Sequence, residues 1–291
     1  MIDTLKSKFE CIEDASLLNY NTYKLNAKCK LLMFPKDIYE LEEMVYILGD
    51  SKYFIIGNGS NIILPNYYDG VVIKLKFLNN YSITDDNVLK VDSGVMINKL
   101  ALEISKLGYK GFEWASGIPG TIGGCIYNNA GCYGSEISDN LISVTILNDN
   151  RIYDLTKDEL QFSYRNSLLK GSNKFIILKA KFQLEKGNSE ELLDLIKTRT
   201  IKRKESQPLE YPSCGSVFRN PEGYIAGKLI DGSNLKGKTV GGAAISDKHA
   251  NFIINKGNAT YEDIISLIDI VKKTIKKNYN IDLVLEQEII K

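Results

Sequence analysis

The chain has 291 residues, 44% of them hydrophobic and 25% charged, and its 37 Lys and Arg against 36 Asp and Glu leave a formal net charge of +1. That is the composition of an ordinary soluble globular protein of two or three domains, and the lack of a basic excess argues against a nucleic-acid partner. The five cysteines are irregularly spaced and the only histidine is His249, so neither a disulfide framework nor a metal site is expected.

The opening Met1-Ile-Asp-Thr-Leu-Lys6 lacks the apolar stretch of a secretory signal, and no run approaches the ~20 apolar residues of a membrane helix. Together with the cysteine usage, these features predict a cytoplasmic protein with reduced thiols and no membrane partner. Ile38, Leu41, Met44, Val45 and Leu48 recur at helical spacing and predict a helix over 36–49. Residues 53–56 read as a short buried strand, and Gly57, Asn58, Gly59, Ser60 and Asn61 follow as a polar glycine turn. Successive N–H groups of such a turn can form an anion-binding nest. An ordinary turn is the alternative, and the pattern is neither a Rossmann fingerprint nor a Walker loop.

Strands are expected at 71–75 and 88–92, and a second amphipathic helix at 96–107. The stretch 111–134 then holds seven of the chain's 23 glycines in 24 residues, with Thr121, Asn128 and Asn129 among them. Glycine at that density permits positive φ and lets another molecule approach bare backbone, which suits a phosphate-bearing cofactor; a set of tight turns is the other reading. A hairpin turned at Asn148-Asp-Asn150 is expected from strands at 141–147 and 151–155, followed by a strand at 175–184. After a linker at 186–189, a helix runs towards Lys204 with Asn188 or Ser189 as its N-cap. Its end carries Lys197, Arg199, Lys202, Arg203 and Lys204, which read as a solvated face or as a place for a ligand phosphate. A helix at 261–278 and a final strand at 281–290 complete the chain.

Taken in order, several segments resemble those of the UDP-N-acetylenolpyruvoylglucosamine reductases, in the shorter subtype of that family. They are Gly57-Asn-Gly-Ser-Asn61, Gly117-Ile-Pro-Gly-Thr-Ile-Gly-Gly124, Asn129-Ala-Gly-Cys-Tyr-Gly134, Tyr164-Arg-Asn-Ser167, Pro212-Ser-Cys-Gly-Ser-Val-Phe-Arg-Asn-Pro221, His249-Ala-Asn-Phe252 and Leu285-Glu-Gln-Glu-Ile289. The resemblance runs from about Asn21 to Ile289. It implies an α+β architecture: a two-lobed FAD-binding domain of the vanillyl-alcohol-oxidase type over 1–185, with lobes of about 1–65 and 66–185, and an α+β substrate-binding domain over 190–291.

By that resemblance the chain is an FAD-dependent oxidoreductase that reduces UDP-N-acetylglucosamine enolpyruvate to UDP-N-acetylmuramate for peptidoglycan, with NADPH as the electron source. The flavin is expected against Gly57, Asn58, Gly59, Ser60 and Asn61; against Gly117, Ile118, Pro119, Gly120, Thr121, Gly123 and Gly124; and against Asn129, Ala130, Gly131 and Gly134. Hydride from flavin N5 adds to the enolpyruvyl group and places charge on its carboxylate side, where Arg165 is implied. Ser216 is implied as the proton donor and Glu288 as the catalytic glutamate, with Glu286 its rival two residues earlier. Tyr164, Arg203, Asn220 and His249 are implied to contact substrate. Arg219 stands where many members have Lys, and Ser206 where a basic residue is expected.

Two other readings are an FAD-linked oxidase of the same superfamily, for which Cys125 or Cys132 could carry a covalent flavin, and a non-enzymatic nucleotide-sugar or flavin-binding protein. A monomer is expected, with a dimer left open.

Overall fold

Local signals set the helices. The computed structural model describes residues 1–171 and 174–291, and the chain forms two compact units. The first comprises Met1–Glu13, Leu31–Asn58 and Gly70–Ile201. Helix α1 spans Ile2–Lys8 and α2 spans Ile38–Leu48. The Asp37 carboxylate accepts from the Glu40 N–H at 2.8 Å and caps α2, and Gly49 at φ +49° ends it. Leu41, Met44 and Leu48 of α2 pack with Leu5 of α1 against Leu31, Met33, Val71 and Ile73. A four-stranded sheet has the order Cys11–Ser16, Lys28–Met33, Tyr67–Ile73, Tyr53–Ile55.

A second core in this unit lies on a five-stranded antiparallel sheet, ordered Arg151–Thr156, Leu141–Asn148, Ile176–Gln183, Val88–Asp92, Tyr81–Ile83. Side chains of Ile176–Gln183 alternate between core and surface, the period-2 pattern of a half-buried strand. The expected hairpin is present, and Asp149 and Asn150 both have positive φ, as a two-residue turn of matching twist needs. Helix α3, Ile97–Lys106, buries Ile97, Leu100, Ala101 and Ile104, each large aliphatic contributing ~1.5–3 kcal/mol. Helix α4, Ile122–Tyr127, lies inside the glycine-rich stretch, for which no helix was expected. Helix α5, Ser189–Ser206, is capped by Asn188, whose Oδ1 accepts from Glu190 N at 2.9 Å.

The second unit comprises Asp14–Lys30, Gly59–Asp69 and Lys202–Lys291. Tyr23, Leu25 and Ile63 join its core with Leu229 and Ile230 of α6, Ala226–Gly232, and with Ile264, Leu267, Ile268, Val271 and Ile275 of α7, Tyr261–Tyr279. Thr260 and Asp263 form a capping box at the start of α7, and Asn280 in the left-handed region closes its end.

These units differ from the linear boundaries expected from sequence. Most of α5 belongs to the first unit rather than to a domain starting at 190, and two early segments join the C-terminal unit. The strand Tyr67–Ile73, placed by sequence in a second lobe, completes the first sheet beside Tyr53–Ile55. The physical reason is pairing at long range: Glu288–Ile289 lies parallel to Ile62–Ile63. The final strand is also shorter than expected. Only Glu288–Ile289 is strand, with an isolated bridge from Leu285 to Phe218 before it.

Candidate active site

In the first unit, the two glycine segments come together. Asn58 Nδ2 donates to the Pro119 carbonyl at 2.7 Å. A Cβ on Gly57 would lie 2.8 Å from Thr121 Oγ1, so only glycine fits there without displacing that threonine. Thr121 in turn caps α4 by accepting from Gly124 N at 3.3 Å. Gly123 N donates to the Ser93 carbonyl at 2.8 Å, and Ile97 N to the Gly120 carbonyl at 3.0 Å, which fastens both sides of the turn to the start of α3. Gly117 ends a short 3-10 turn, and Ile118 N donates back to the Ala115 carbonyl at 2.9 Å.

Arg165 organises the next segment. It sits at φ +55° in a tight turn closed by reciprocal Ser163 and Asn166 backbone bonds. Its Nη2 donates to the Gly131 carbonyl at 2.7 Å and its Nη1 to the Asn129 carbonyl at 3.5 Å. Tyr164 lies with its ring 5.0 Å from the same guanidinium. Lys170 bonds both Asn128 Oδ1 and the Arg165 carbonyl, and Asn129 Nδ2 donates to the Ser163 carbonyl at 3.0 Å. The Asn129 Oδ1 atom is buried with no hydrogen-bond partner among the described residues. Gly131 is required by the crossing hairpin, since its Cβ would stand 2.5 Å from the Ser135 carbonyl oxygen. Ala130 N donates to the Cys125 carbonyl, and Gly134 turns the hairpin at φ +79°. The unpartnered Asn129 Oδ1 is an acceptor, so it calls for an N–H or O–H donor on whatever group lies beside it.

In the second unit, Ser216 sits on a segment clamped from two sides. Ser216 bridges Phe252, and Val217 N donates to the Asn251 carbonyl at 2.9 Å. Asn251 Oδ1 accepts from Phe218 N at 3.0 Å while its Nδ2 donates to the Phe218 carbonyl at 2.8 Å. From the other side, Glu286 N donates to the Val217 carbonyl, and Gln287 Nε2 donates to the carbonyls of Cys214 and Gly215 at 3.2 and 3.3 Å. Gln287 Oε1 accepts from the buried Tyr23 hydroxyl at 3.0 Å. Glu286 and Glu288, on either side of the buried Gln287, are both partly buried. Glu288 N donates to the Asn61 carbonyl at 2.9 Å, and Asn61 Nδ2 to the Glu286 carbonyl at 3.1 Å. Asn61, expected against a flavin, thus uses its side chain on the C-terminal strand. Gly59, at φ +62°, has no room for a Cβ, which would fall 2.0 Å from the Tyr20 carbonyl oxygen. Ser60 is partly exposed in this turn.

His249 lies 4.7 Å from the Phe252 ring, and its Nδ1 accepts from Asn251 N at 3.3 Å. Burial, then the charge of Lys236, holds its imidazole below the ordinary value. Asn220 Oδ1 accepts from Ala226 N at 3.0 Å and so helps start α6. Arg203 stands in the last turn of α5, and Ser206 Oγ bonds the Lys202 carbonyl at 2.8 Å. Arg219 buries its Nε with no hydrogen-bond partner among the described residues. Cys214 is buried beside Thr22 and the Gly59 and Ile62 carbonyls, and burial pushes its thiol up to about 11. All five cysteines are free, and among the described residues no cluster of His, Cys, Asp and Glu forms a metal site and no helix is long and apolar enough to cross a membrane.

Within His249-Ala-Asn-Phe252, the sequence pattern does not single out Asn251. Its buried position, 4% exposed, and its paired bonds to Phe218 mark it as the residue that holds the Ser216 segment. Gln287 is flanked by Glu286 and Glu288, the residues to which the resemblance points.

Comparison with known proteins gives a consistent picture. The family model described as "FAD binding domain" matches residues 29–151, and that described as "UDP-N-acetylenolpyruvoylglucosamine reductase, C-terminal domain" matches 207–290. The UDP-N-acetylenolpyruvoylglucosamine reductase of Clostridium tetani is 42% identical over 280 residues, covering 94% of this chain and 89% of that one. The crystal structure of UDP-N-acetylenolpyruvylglucosamine reductase from Thermus caldophilus is 30% identical with a TM-score of 0.83, covering 97% of this chain and 98% of that one. Phl p 4.0202, a glucose dehydrogenase, shares the fold alone, with a TM-score of 0.52 at 13% identity over 64% of this chain and 44% of its own. The expected α+β architecture, with an FAD-binding fold of the vanillyl-alcohol-oxidase type, is thereby shown.

Proposed function

The chain belongs to the UDP-N-acetylenolpyruvoylglucosamine reductase family, and on that premise we propose that it reduces UDP-N-acetylglucosamine enolpyruvate to UDP-N-acetylmuramate, with NADPH as electron source, as a cytoplasmic monomer. The observation that carries this reading is the full-length relationship, 42% identity across 94% of the chain. The matches over 29–151 and 207–290 support a division of labour in which earlier residues bind FAD and later ones bind substrate.

Bound FAD supplies a hydride from N5. The chain's own residues do the rest. Addition of hydride to the terminal carbon of the enolpyruvyl double bond puts negative charge on the carboxylate side, and preorganised donors are most effective where charge develops. Arg165 takes that role. Its bonds to Gly131 and Asn129 carbonyls fix the guanidinium plane, and a guanidinium carries five N–H donors in all. Ser216 donates the proton to the carbon bearing the ether oxygen. A serine hydroxyl is a weak acid, but an enolate is a strong base, and rigid positioning makes the transfer efficient. The clamp of Asn251 and Gln287 around Cys214–Phe218 supplies that rigidity. Glu288 polarises the carboxylate or relays the proton, and Tyr164, Arg203, Asn220 and His249 bind the nucleotide sugar.

The test is anaerobic. NADPH bleaches the flavin absorbance of the purified protein, and UDP-N-acetylglucosamine enolpyruvate restores the oxidised spectrum. A flavin that recovers only when oxygen is admitted would overturn the reading in favour of an oxidase.

A further inference from the structure

Lys74 follows directly on the strand Tyr67–Ile73, at the carboxyl end of its parallel pairing with Tyr53–Ile55. Its backbone N–H donates to the Met33 carbonyl at 3.0 Å, and its Nζ donates to the Gly57 carbonyl. The ammonium therefore stands on the glycine turn that packs against Thr121 and Pro119. Elsewhere lysines such as Lys6, Lys28 and Lys110 pair with Glu13, Asp14 and Glu185 on the surface. Lys74 is partly buried, and among the described residues no carboxylate lies within ion-pair distance of it. Burial, then the neighbouring charge of Lys76, disfavours its protonated form. Lys76 itself is exposed and directs its ammonium over the Phe34 ring at 3.7 Å.

A half-withdrawn cation without a counter-ion is costly, and one carbonyl oxygen does not offset it. A neutral donor would satisfy Gly57 at lower cost. An ammonium has three donors, of which Gly57 uses one, and open sheets receive ligands at the carboxyl ends of their parallel strands. We propose that Lys74 is the counter-charge for the FAD diphosphate, holding the Gly57 turn and the anion together. This rests on the FAD-binding reading of the family and adds to it a charged contact in a site otherwise built of backbone groups.

The experiment titrates flavin-stripped full-length protein with FAD at low and high salt, for wild type, Lys74→Gln and Lys74→Arg. Gln removes the charge but keeps a donor for the Gly57 carbonyl. Expected is an FAD Kd about 10–100-fold higher for Lys74→Gln, as for loss of one charge-assisted bond, with a shallower salt dependence, while Lys74→Arg keeps the wild-type slope. Wild-type affinity in Lys74→Gln, or weakened binding with an unchanged salt slope, overturns the proposal, the second outcome marking Lys74 as a brace for the turn. Should Lys74→Gln fail to fold, a salt slope in Lys74→Arg unlike that of wild type overturns it. Failure of the wild type to bind FAD would instead overturn the family reading on which the proposal rests.

Discussion

Asn58 Nδ2 reaches the Pro119 carbonyl at 2.7 Å across 61 residues of chain. That one bond joins the two glycine turns which, read along the sequence, are separate features with separate explanations. It turns a composition signal into a surface: backbone from both segments is presented together, with Thr121 wedged against Gly57.

Gly57→Ala tests the wedge. The added Cβ meets Thr121 Oγ1 at 2.8 Å, and moving Thr121 gives up the α4 cap. Overpacking and cap loss predict a stability decrease of about 1–3 kcal/mol together with a lower flavin-to-protein ratio after purification. Urea unfolding and the visible spectrum measure both. Full flavin content at wild-type stability would mean that the turn has slack the geometry does not show.

Ser216→Ala separates the half-reactions. Flavin reduction by NADPH should proceed at the wild-type rate, whereas reoxidation by enolpyruvyl substrate should fall by about 10²–10⁴, the range for removing a general acid. Stopped-flow absorbance reads each step. Equal slowing of both steps would point to a disturbed flavin rather than a lost proton donor.

Asn251→Ala leaves the buried N–H and C=O of Phe218 unpaired. Each unsatisfied group costs about 1–3 kcal/mol, so a loss of roughly 2–6 kcal/mol is expected. Reoxidation by substrate should slow further in whatever folded protein remains, because Ser216 loses its support. A loss below about 1 kcal/mol in chemical denaturation would show that Gln287 and Glu286 suffice to hold the segment.

His249 should make stability depend on pH. Burial lowers its folded-state pKa below the ordinary 6.5, so as pH falls the unfolded chain takes up the proton first. Its contribution is therefore present above about 6.5 and lost as pH drops through the lower folded value. His249→Gln is expected to flatten the urea-midpoint profile in that window. Parallel profiles for variant and wild type would assign the acid sensitivity to other groups.

Flavin should leave the denatured protein intact. Burial pushes the Cys125 thiol up to about 12, so it is not poised as a thiolate, and Cys132 Sγ is engaged with the Trp114 carbonyl at 3.0 Å. Acid precipitation followed by absorbance of the supernatant checks this. Yellow colour retained in the pellet would revive the covalent oxidase reading.

Much of this was legible along the chain. The spacing of Leu41, Met44 and Leu48 gave α2, and Asn148-Asp-Asn150 gave its hairpin, because helix and turn preferences act over a few residues. Helix α4 was not legible, since Gly123 and Gly124 disfavour helix and only the Thr121 cap and the packing of Ile122 and Ile126 outweigh that preference. The final strand is shorter than expected because Leu283, Leu285, Gln287 and Ile289 alternate like a strand, while only Glu288–Ile289 pairs as a strand and Leu285 makes an isolated bridge to Phe218.

What the sequence determined by itself was the inventory of chemistry: glycine turns, one arginine in a Tyr-Arg-Asn-Ser turn, a serine after a glycine, a glutamate near the end, and no excess of charge. Those depend on residue identity and local spacing. Tertiary structure alone decided which of them are held and by what. Gly57 meets Thr121, Asn251 grips Phe218, and Lys74 stands on the Gly57 carbonyl without a carboxylate among the described residues. Such contacts join residues far apart in the chain, and their energy depends on burial and on which hydrogen bonds remain unmade, quantities that local pattern does not encode.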